Sequence, residues 1–471
     1  MKKKGVARMG RLVVVSNRVQ SPDSAPAAGG LATAMHAALQ QSGGMWFGWS
    51  GETSEGDVGD AWVREHEGIT YATVDLNEPD YVGFYEGYAN QTLWPLFHNR
   101  VDLAVFDRVA FENYRRVNER FAAQLERLLK PDDVIWVQDY HLIPLGEELR
   151  QLGCRQRIGF FLHTPFPPPE ILVTLFNHKR LVRSLLAYDL VGFQAPDDLG
   201  SFKDYVVQEL RDGRAADGTV SAYGRTTKAG AFPIGVDPAA FRQLASSSSA
   251  RRYAARVHKS LGGCRLVLGV DRLDYSKGIP ERMAAMQTFY ELHPHARGRV
   301  TFLQIAPPSR EDVPQYRTHK HEIEGAVGQI NGRLAESDWT PVRYVSKTYT
   351  QARLCGLYSL SKVGLVTPLR DGMNLVAKEY VAAQPSDHPG VLVLSRFAGA
   401  AHQMAAALIV NPYDRVEVCE AVHQALEMSL DERTERWRAL LEGLEKHDLA
   451  GWRDNFLAAL AEGGCGAVAE S

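Results

Sequence analysis

Two short segments of the chain carry residue types that suit a nucleoside diphosphate sugar. The segment GVDRLDYSKG, residues 269–278, places Arg272 and Lys277 in one loop. The segment RDGMNLVAKE, residues 370–379, ends in Glu379. Arginine offers a planar fork of hydrogen-bond donors and lysine a point charge, and a diphosphate can use both. Because a carboxylate can accept hydrogen bonds from two ribose hydroxyls, the two segments together predict a sugar-nucleotide site.

The second segment also has the turn that a phosphate site requires. Asp371 and Gly372 form a tight turn in which the backbone can approach a ligand closely. The N–H groups of Met373 to Val376 would then start a helix and point towards a phosphate. Taken alone, each segment is as readily explained as a solvated loop or an exposed helix face. Their occurrence together, each after an apolar run, favours a site for glycosyl transfer.

A group of residues in the first half of the chain has the chemistry of a sugar site. Flat aromatic rings suit the C–H faces of a sugar, and carboxylates and imidazoles suit its hydroxyls. Trp46 is equally compatible with the protein core, whereas His163 precedes the rigid segment TPFPPP and is expected to contact substrate. The members of this group are Trp46, Trp49, Tyr85, Trp94, Asp139, His141 and His163.

These residues need a scaffold that brings distant loops together, and a series of apolar runs predicts one. Most of the runs are β-branched and lack polar alternation, as expected for parallel strands covered on both faces. The order strand, loop, helix, strand predicts doubly wound α/β domains, whose sites lie beyond the carboxyl ends of the strands. The runs are residues 12–15, 134–137, 158–162, 190–193, 266–270, 300–305, 342–345, 363–366 and 391–394.

Length and charge narrow the class of protein further. A chain of 471 residues exceeds the size of one hydrophobic core, and the serine tract at 246–249 favours a connector, so we expect domains at 1–236 and 237–448. The amphipathic stretch at about 449–471 is expected to pack back on the first domain. A formal charge of −3 argues against nucleic acid or membrane partners. Five scattered cysteines and the absence of a long apolar stretch predict a reduced, cytoplasmic protein with no metal site.

Eight strings distributed along the chain resemble the trehalose-6-phosphate synthase family, which consists of retaining glycosyltransferases of family 20. The resemblance covers roughly residues 11 to 460 and implies the GT-B architecture, in which two Rossmann-like domains face a central cleft. The strings are VVVSNR (13–18), GMWFGWSG (44–51), LWPLFH (93–98), WVQDYHL (136–142), GFFLHTPFP (159–167), DRLDYSKG (271–278), TPLRDGMNLVAKEY (367–380) and SRFAGAA (395–401).

The resemblance implies a role for each matching residue. On the donor side, Arg272 and Lys277 would neutralise the diphosphate, and Glu379 would hold the ribose. Asp371 and His163 would hold hydroxyls of the transferred glucose. The backbone at the helix start and near the glycine pair would approach the donor, and these residues are Gly29, Gly30, Asn374, Leu375 and Val376. The acceptor phosphate and its sugar would be bound by Arg18, Arg310, Trp49, Tyr85, Trp94 and Asp139.

The resemblance also implies the reaction: α,α-trehalose 6-phosphate made from UDP-glucose and glucose 6-phosphate, without a metal or another cofactor. Retention without an evident nucleophile favours front-face attack, in which the leaving phosphate accepts the proton of the acceptor. Fixed cations would stabilise the charge on that phosphate as it forms. A separate phosphatase would then act on the product, and family members occur as homodimers or homotetramers.

Three departures from the family pattern leave alternatives open. Gln138, Asn99 and Gln403 stand where His, Tyr and Glu are usual. Gln403 removes a charge near the expected donor loop, so the base of the donor nucleotide is the least determined feature. The alternatives are a related enzyme using GDP- or ADP-glucose or another phosphorylated acceptor, a pseudo-glycosyltransferase, and a non-catalytic sugar-phosphate sensor.

Overall fold

The computed structural model describes residues 10–20, 35–36, 38–40, 43–56, 58–310 and 313–462. Within these residues the chain forms two compact units. The first runs up to Phe232 and resumes at Trp452, and the second is Pro233–Gly451. Each unit has a β-sheet with helices packed against it, so the predicted class of two Rossmann-like α/β domains is confirmed.

The first unit is built on a ten-stranded sheet whose order is β3-β4-β2-β1-β5-β6-β7-β10-β9-β8. The strands from β4 to β10 in this order are parallel, and β3, β9 and β8 are antiparallel at the two edges. The strands are β1 (Leu12–Arg18), β2 (Gly44–Ser54), β3 (Trp62–His66), β4 (Ile69–Asn77), β5 (Val134–Gln138), β6 (Arg157–Phe161), β7 (Leu190–Phe193), β8 (Arg214–Ala216), β9 (Thr219–Ala222) and β10 (Arg225–Ala231).

The helices of the first unit follow the strands in the expected alternation. One of them contains a π-helical stretch, Tyr81–Leu93, between two short α-helical turns, a geometry that is found frequently at functional sites. The helices are α1 (Glu78–Asp80), which leads into that stretch, α2 (Trp94–Phe97), α3 (Arg108–Glu126), α4 (Leu145–Gln151), α5 (Pro169–Leu172), α6 (His178–Leu185) and α7 (Pro196–Glu209).

The second unit has a six-stranded parallel sheet of order β13-β12-β11-β14-β15-β16. Numbered from β11, this order is 3-2-1-4-5-6, the arrangement of dinucleotide-binding folds, and its direction reverses between β11 and β14. All but the edge strands are buried, which agrees with their continuous apolar sequence. The strands are β11 (Arg265–Val270), β12 (Val300–Ile305), β13 (Val342–Val345), β14 (Val363–Val366), β15 (Val391–Ser395) and β16 (Leu408–Val410).

The helices of the second unit cover this sheet, and an apolar core fills the space between them. Ile279, Met283 and Met286 of one helix pack in the same core as Val267 and Phe302 of the sheet. The helices are α8 (Pro238–Ala245), α9 (Ser248–Ser260), α10 (Ile279–Leu292), α11 (Pro314–Leu334), α12 (Gln351–Leu360), α13 (Leu375–Ala382), α14 (Arg415–Glu427) and α15 (Leu430–Lys446).

The structure tests two sequence predictions, the serine connector and the packing of the last helix. The serine tract lies inside the second unit, where the Ser247 hydroxyl accepts from Ala250 N and caps α9, so it is a helix cap and not a connector. The last helix, α16 (Leu449–Ala461), carries Trp452 and Phe456 into the first unit. The Phe456 ring stacks on Trp136 of β5, with centroids 4.9 Å apart.

No helix among the described residues is long and apolar enough to cross a lipid bilayer.

Candidate functional site

The two segments that predict the donor site follow neighbouring strands of the second unit. Asp271 to Lys277 follow β11, and Thr367 to Asn374 follow β14. The two strands are hydrogen-bonded neighbours at the point where the strand order reverses. In open α/β sheets this point leaves a crevice beyond the strand ends, and ligands bind there. Topology therefore explains why residues almost a hundred positions apart come together.

Lys277, Asp371 and Asn374 form one contact cluster at this crevice. The Lys277 Nζ atom lies 2.5 Å from Oδ2 of Asp371, and both side chains are largely buried. The Asn374 side-chain amide donates to the same carboxylate oxygen over 3.1 Å. The ammonium is thus fixed in position by a carboxylate, which is the preorganisation that a phosphate-binding cation requires.

The start of α13 has a capped first turn. Asn374 adopts a left-handed conformation, with φ of 78°, and its Oδ1 atom accepts from Ala377 N over 3.2 Å. This cap orders the first turn, and Leu375 and Val376 are the first two residues of the helix. The backbone N–H groups at such a start carry partial positive charge and favour a phosphate.

The loop after β11 turns through Gly278, where the backbone passes close to the neighbouring loop. Gly278 has φ of 65°, and a Cβ atom added there would lie 2.6 Å from the carbonyl oxygen of Thr367. Only glycine adopts this conformation without strain while leaving room for the contact. The glycine therefore sets how closely the Lys277 loop approaches the Asp371 loop.

Arg272 and Glu379 complete the predicted donor set in different ways. The Arg272 side chain is exposed on the loop after β11. Glu379 lies on α13, partly buried, and its Oε2 atom accepts from the Tyr358 hydroxyl over 3.1 Å. Burial raises the pKa of Glu379 to about 7, although the hydrogen bond from Tyr358 acts in the opposite direction. Glu379 is therefore poised to change its protonation state near neutral pH.

Arg282 connects the two loops of the predicted donor site and was not itself predicted from the sequence. Its fully buried guanidinium lies 2.5 Å from Oδ2 of Asp271, donates to Thr367 Oγ1 over 3.0 Å and donates to the carbonyl oxygen of Lys277 over 3.2 Å. A single side chain thus connects the end of β11, its loop and the end of β14. The sequence signal for it was a charged residue on the apolar face of α10. A buried arginine is normally paired, so its position indicates nearby acidic or polar partners.

Arg310 lies beside the same donor loop. Its Nη1 atom is 3.3 Å from Oδ2 of Asp274 and 2.5 Å from the Tyr316 hydroxyl. The Tyr316 hydroxyl in turn donates to Asp274 over 2.9 Å. Arg310 has φ of 51°, a conformation that a non-glycine residue keeps only where its surroundings hold it. The structure therefore brings Arg310 to the loop that carries Arg272 and Lys277.

Arg18 ends β1 and pairs with Trp49, which lies in the middle of the neighbouring strand β2. The Arg18 guanidinium carbon is 5.7 Å from the centroid of the Trp49 ring. Gly51 has φ of 97°, and a Cβ atom there would lie 2.5 Å from the guanidinium nitrogens. The glycine thus makes room for the Arg18 side chain, which a cation–π contact orients.

Aromatic rings continue from Trp49 towards the end of β5. The Tyr85 ring lies 5.7 Å from Trp49 and stacks on His141 at 5.9 Å between centroids. Tyr81, one turn away on the π-helical stretch, contacts both Trp49 and Tyr85. A line of flat faces ending at Arg18 suits a sugar that carries an anionic group.

The remaining tryptophans take different places. Trp94 is buried against Tyr140, with centroids 5.7 Å apart, and Tyr140 lies against His141, so Trp94 sits behind the line of rings. Trp46 is buried in the core, and its indole N–H donates to Ser16 Oγ over 2.8 Å. Of the two readings open for Trp46, the structure supports the core. Gly29 and Gly30 lie outside the described residues.

Asp139 and His163 meet at the carboxyl ends of β5 and β6. Asp139 has φ of 71°, and its Oδ1 atom accepts from His163 N over 3.1 Å. The His163 Nε2 atom lies 2.9 Å from Oε1 of Gln138, and its Nδ1 atom lies 3.2 Å from Nε2 of Gln194. Since an amide oxygen accepts and an amide nitrogen donates, His163 is neutral with its proton on Nε2. Burial lowers its pKa to about 3.

The three departures from the family pattern each have a structural counterpart. Gln138 holds the His163 ring, as described above. Asn99 has φ of 59°, which asparagine tolerates better than tyrosine. Lys378 Nζ donates to the Gln403 Oε1 atom over 2.7 Å and to the carbonyl oxygen of Ile234 over 2.6 Å. Burial lowers the pKa of Lys378 to about 7, since neither partner is a carboxylate.

Comparison with known proteins agrees with this geometry. The model of glycosyltransferase family 20 matches residues 4–462. A trehalose-6-phosphate synthase of Sinorhizobium fredii is 49% identical over 454 residues, covering 95% of this chain and 98% of the relative.

Two solved structures resemble the chain closely. An α,α-trehalose-phosphate synthase (UDP-forming) from Burkholderia xenovorans, in complex with glucose-6-phosphate, is 48% identical with a TM-score of 0.92, over 96% of this chain and 100% of that one. The E. coli enzyme bound with UDP-2-fluoro glucose is 44% identical with a TM-score of 0.92, over 96% of this chain and 99% of that one. These likenesses confirm the GT-B fold class and the family resemblance. The chain belongs to glycosyltransferase family 20.

Proposed function

We propose that this chain transfers glucose from UDP-glucose to glucose 6-phosphate with retention, forming α,α-trehalose 6-phosphate and UDP. The observation that carries the proposal is the cluster of Lys277, Asp371 and Asn374 at the switch point between β11 and β14. A fixed ammonium beside a helix start is a site for a diphosphate. The similar proteins that were solved with glucose-6-phosphate and with UDP-2-fluoro glucose support the two substrates.

On the donor side, the roles follow from charge and position. Lys277 and Arg272 neutralise the diphosphate, and the N–H groups of Leu375 and Val376 add the partial charge of the helix start. Glu379 accepts the ribose hydroxyls in its ionised form.

On the acceptor side, Arg18 and Arg310 bind the phosphate of glucose 6-phosphate. Trp49, Tyr85 and Asp139 bind its sugar, and Trp94 supports the rings behind them. Asp371 and His163 hold hydroxyls of the transferred glucose. Because His163 is neutral with its proton on Nε2, it acts as a hydrogen-bonding group and not as a proton store.

The reaction exchanges one bond at the anomeric carbon. The bond from this carbon to the diphosphate oxygen breaks, and a bond to a hydroxyl oxygen of the acceptor forms on the same face. The proton of that hydroxyl goes to the departing phosphate oxygen, so no protein base is needed. The charge that develops on this phosphate is largest in the transition state, and the Lys277 ammonium, already oriented by Asp371, stabilises it there.

The proposal also covers the cellular location, the oligomeric state and the next reaction. By likeness to the family, the enzyme acts in the cytoplasm as a homodimer or a homotetramer. A separate phosphatase removes the phosphate of its product.

A nucleotide-release assay with purified protein tests the proposal. UDP-, GDP- and ADP-glucose are each offered with and without glucose 6-phosphate, and nucleotide diphosphate is measured. The proposal expects release from UDP-glucose that depends on glucose 6-phosphate. If glucose 6-phosphate stimulates nucleotide release only from GDP-glucose or only from ADP-glucose, the donor assignment is wrong. If no donor gives acceptor-dependent release, the proposal is contradicted.

A further inference from the structure

Three histidines meet at one edge of the second unit, outside the residues assigned to the sugar nucleotide. His293 ends α10, His295 lies in the following turn Pro294–Ala296, and His423 lies on α14. One ring nitrogen from each side chain lies within 4.8 Å of the others. The glycosyl transfer described above uses none of these imidazoles.

The rings pack against one another directly. The His293 and His423 rings are stacked with centroids 3.9 Å apart and an interplanar angle of 14°. The His295 ring lies edge-on to both, at 5.9 and 5.8 Å. The three side chains therefore present ring nitrogens to one small region at this edge of the unit.

A carboxylate extends the group. The Nε2 atom of His293 is buried and makes no hydrogen bond to the described part of the chain. Oε1 of Glu420 lies 3.4 Å from it. Glu420 and His423 are three positions apart on α14, so they occupy the same face of that helix. The arrangement therefore offers three imidazole nitrogens in one place, with the Glu420 carboxylate beside one of them, that of His293.

We propose that His293, His295 and His423, with Glu420 as the fourth ligand, bind one zinc ion or a similar late first-row divalent cation. Imidazole and carboxylate ligands suit this class of metal, and zinc accepts four of them in a tetrahedron. With zinc–nitrogen bonds of about 2.0–2.1 Å, the ligand atoms would lie roughly 3.3 Å apart. To reach this spacing from the present limit of 4.8 Å, the His293 and His423 rings would rotate out of their stack so that their nitrogens converge on the ion.

The position of the group indicates what the metal would do. The helix α10 starts at the donor loop, directly after Gly278, and the histidines lie at its opposite end. A helix of this length, 14 residues, spans about 21 Å, so the metal would not touch the sugar nucleotide. By joining the end of α10 to α14 it would stabilise the second unit, and transfer activity would not require it.

Calorimetric titration of zinc into the chelator-treated full-length protein tests the proposal. We expect one ion per chain, a thermal midpoint that rises with zinc concentration, and binding weakened more than about tenfold in His295→Gln and His423→Gln. His295 is exposed, so its variant folds even if the stacked pair is sensitive. His321→Gln is the matched control, because His321 is highly exposed on α11 and lies outside the cluster. Glucosyl transfer should be unchanged in all three variants.

A cobalt spectrum distinguishes the ligands. The second group of nearby side chains that includes His293 contains Cys419 and Glu420. Nitrogen and oxygen ligands give only weak visible bands, whereas a thiolate adds a strong near-ultraviolet charge-transfer band. A thiolate band, no zinc binding, or zinc binding equal in His423→Gln, His295→Gln and the control would each overturn the proposal.

Discussion

Binding of UDP-glucose near neutral pH should release protons from Glu379. Burial raises the pKa of Glu379 to about 7, so in the free protein at pH 7 about half of the molecules carry the proton. The ribose hydroxyls donate to the carboxylate and favour its ionised form, which lowers that pKa in the complex. The release is then about 0.5 proton per bound donor at pH 7, about 0.9 at pH 6 and about 0.1 at pH 8.

Isothermal titration calorimetry in buffers of different ionisation enthalpy measures this release as a slope. UDP-glucose is the appropriate ligand, because its diphosphate is esterified at both ends and does not titrate in this range. Lys378 also titrates near neutral pH, since burial lowers its pKa to about 7. The difference between the native chain and Glu379→Gln therefore isolates the carboxylate. A slope of zero at pH 6 and 7, or one unchanged by Glu379→Gln, would refute the reasoning.

The same pKa fixes the sign of a stability effect in the unliganded protein. A carboxyl whose pKa is raised in the folded state holds its proton more tightly there than in the unfolded chain, where its pKa is 4.5. Its contribution to stability is complete below pH 4.5 and is lost as the pH rises towards 7. Thermal midpoints of the native chain and of Glu379→Gln should therefore converge at low pH and differ most at neutral pH.

Further predictions concern single residues of the second unit. Lys277→Ala and Arg272→Ala should each lower kcat by about 100- to 1000-fold with little change in the thermal midpoint, and near-native turnover in either would contradict the role of the cations. Arg310→Ala should raise the KM for glucose 6-phosphate and leave the KM for UDP-glucose nearly unchanged; an effect on the donor alone would move Arg310 to the donor site. Gly278→Ala should lower the free energy of unfolding by roughly 1–3 kcal/mol in urea denaturation, because its Cβ would meet Thr367 O. Gly262→Ala is the control, because Gly262 has a similar φ but no atom near the added Cβ. An equal loss of stability in both variants would show that the contact with Thr367 is not the cause.

Much of the fold could be predicted because buried parallel strands have a simple sequence pattern, a short continuous apolar run. All of the predicted apolar runs lie in strands or extend them slightly, for example 300–305 and 363–366. Strand β2 was not predicted as a strand, because its sequence GMWFGWSGETS mixes glycines and polar residues with the aromatic ones. The antiparallel edge strands β3, β8 and β9 were also missed, since each has only three to five residues and none contains a continuous apolar run of the length used to predict strands. Pairing with a neighbour, and not local propensity, makes these segments strands.

The candidate site was readable where the chemistry is local and hidden where it depends on packing. Lys277 and Asp371 were singled out from their own segments, but their contact is a product of the strand order. The raised pKa of Glu379 follows from its burial on α13 beside Tyr358. No local sequence pattern predicts this burial or the contact with Tyr358. Arg282 shows the same limit, because its four partners come from three separate segments: Asp271 and the carbonyl oxygen of Lys277, Gln304 on β12, and Thr367 after β14.

The measurement that tests the central claim most directly is the proton NMR spectrum of the product formed from UDP-glucose and glucose 6-phosphate. Retention at the anomeric carbon of the donor and linkage through the anomeric oxygen of the acceptor predict two anomeric protons, both with the small coupling of α-glucosides. The H6 protons of one glucose unit only should also be split by coupling to phosphorus. A large anomeric coupling, a remaining free reducing end, or free glucose from hydrolysis as the only product would contradict the claim.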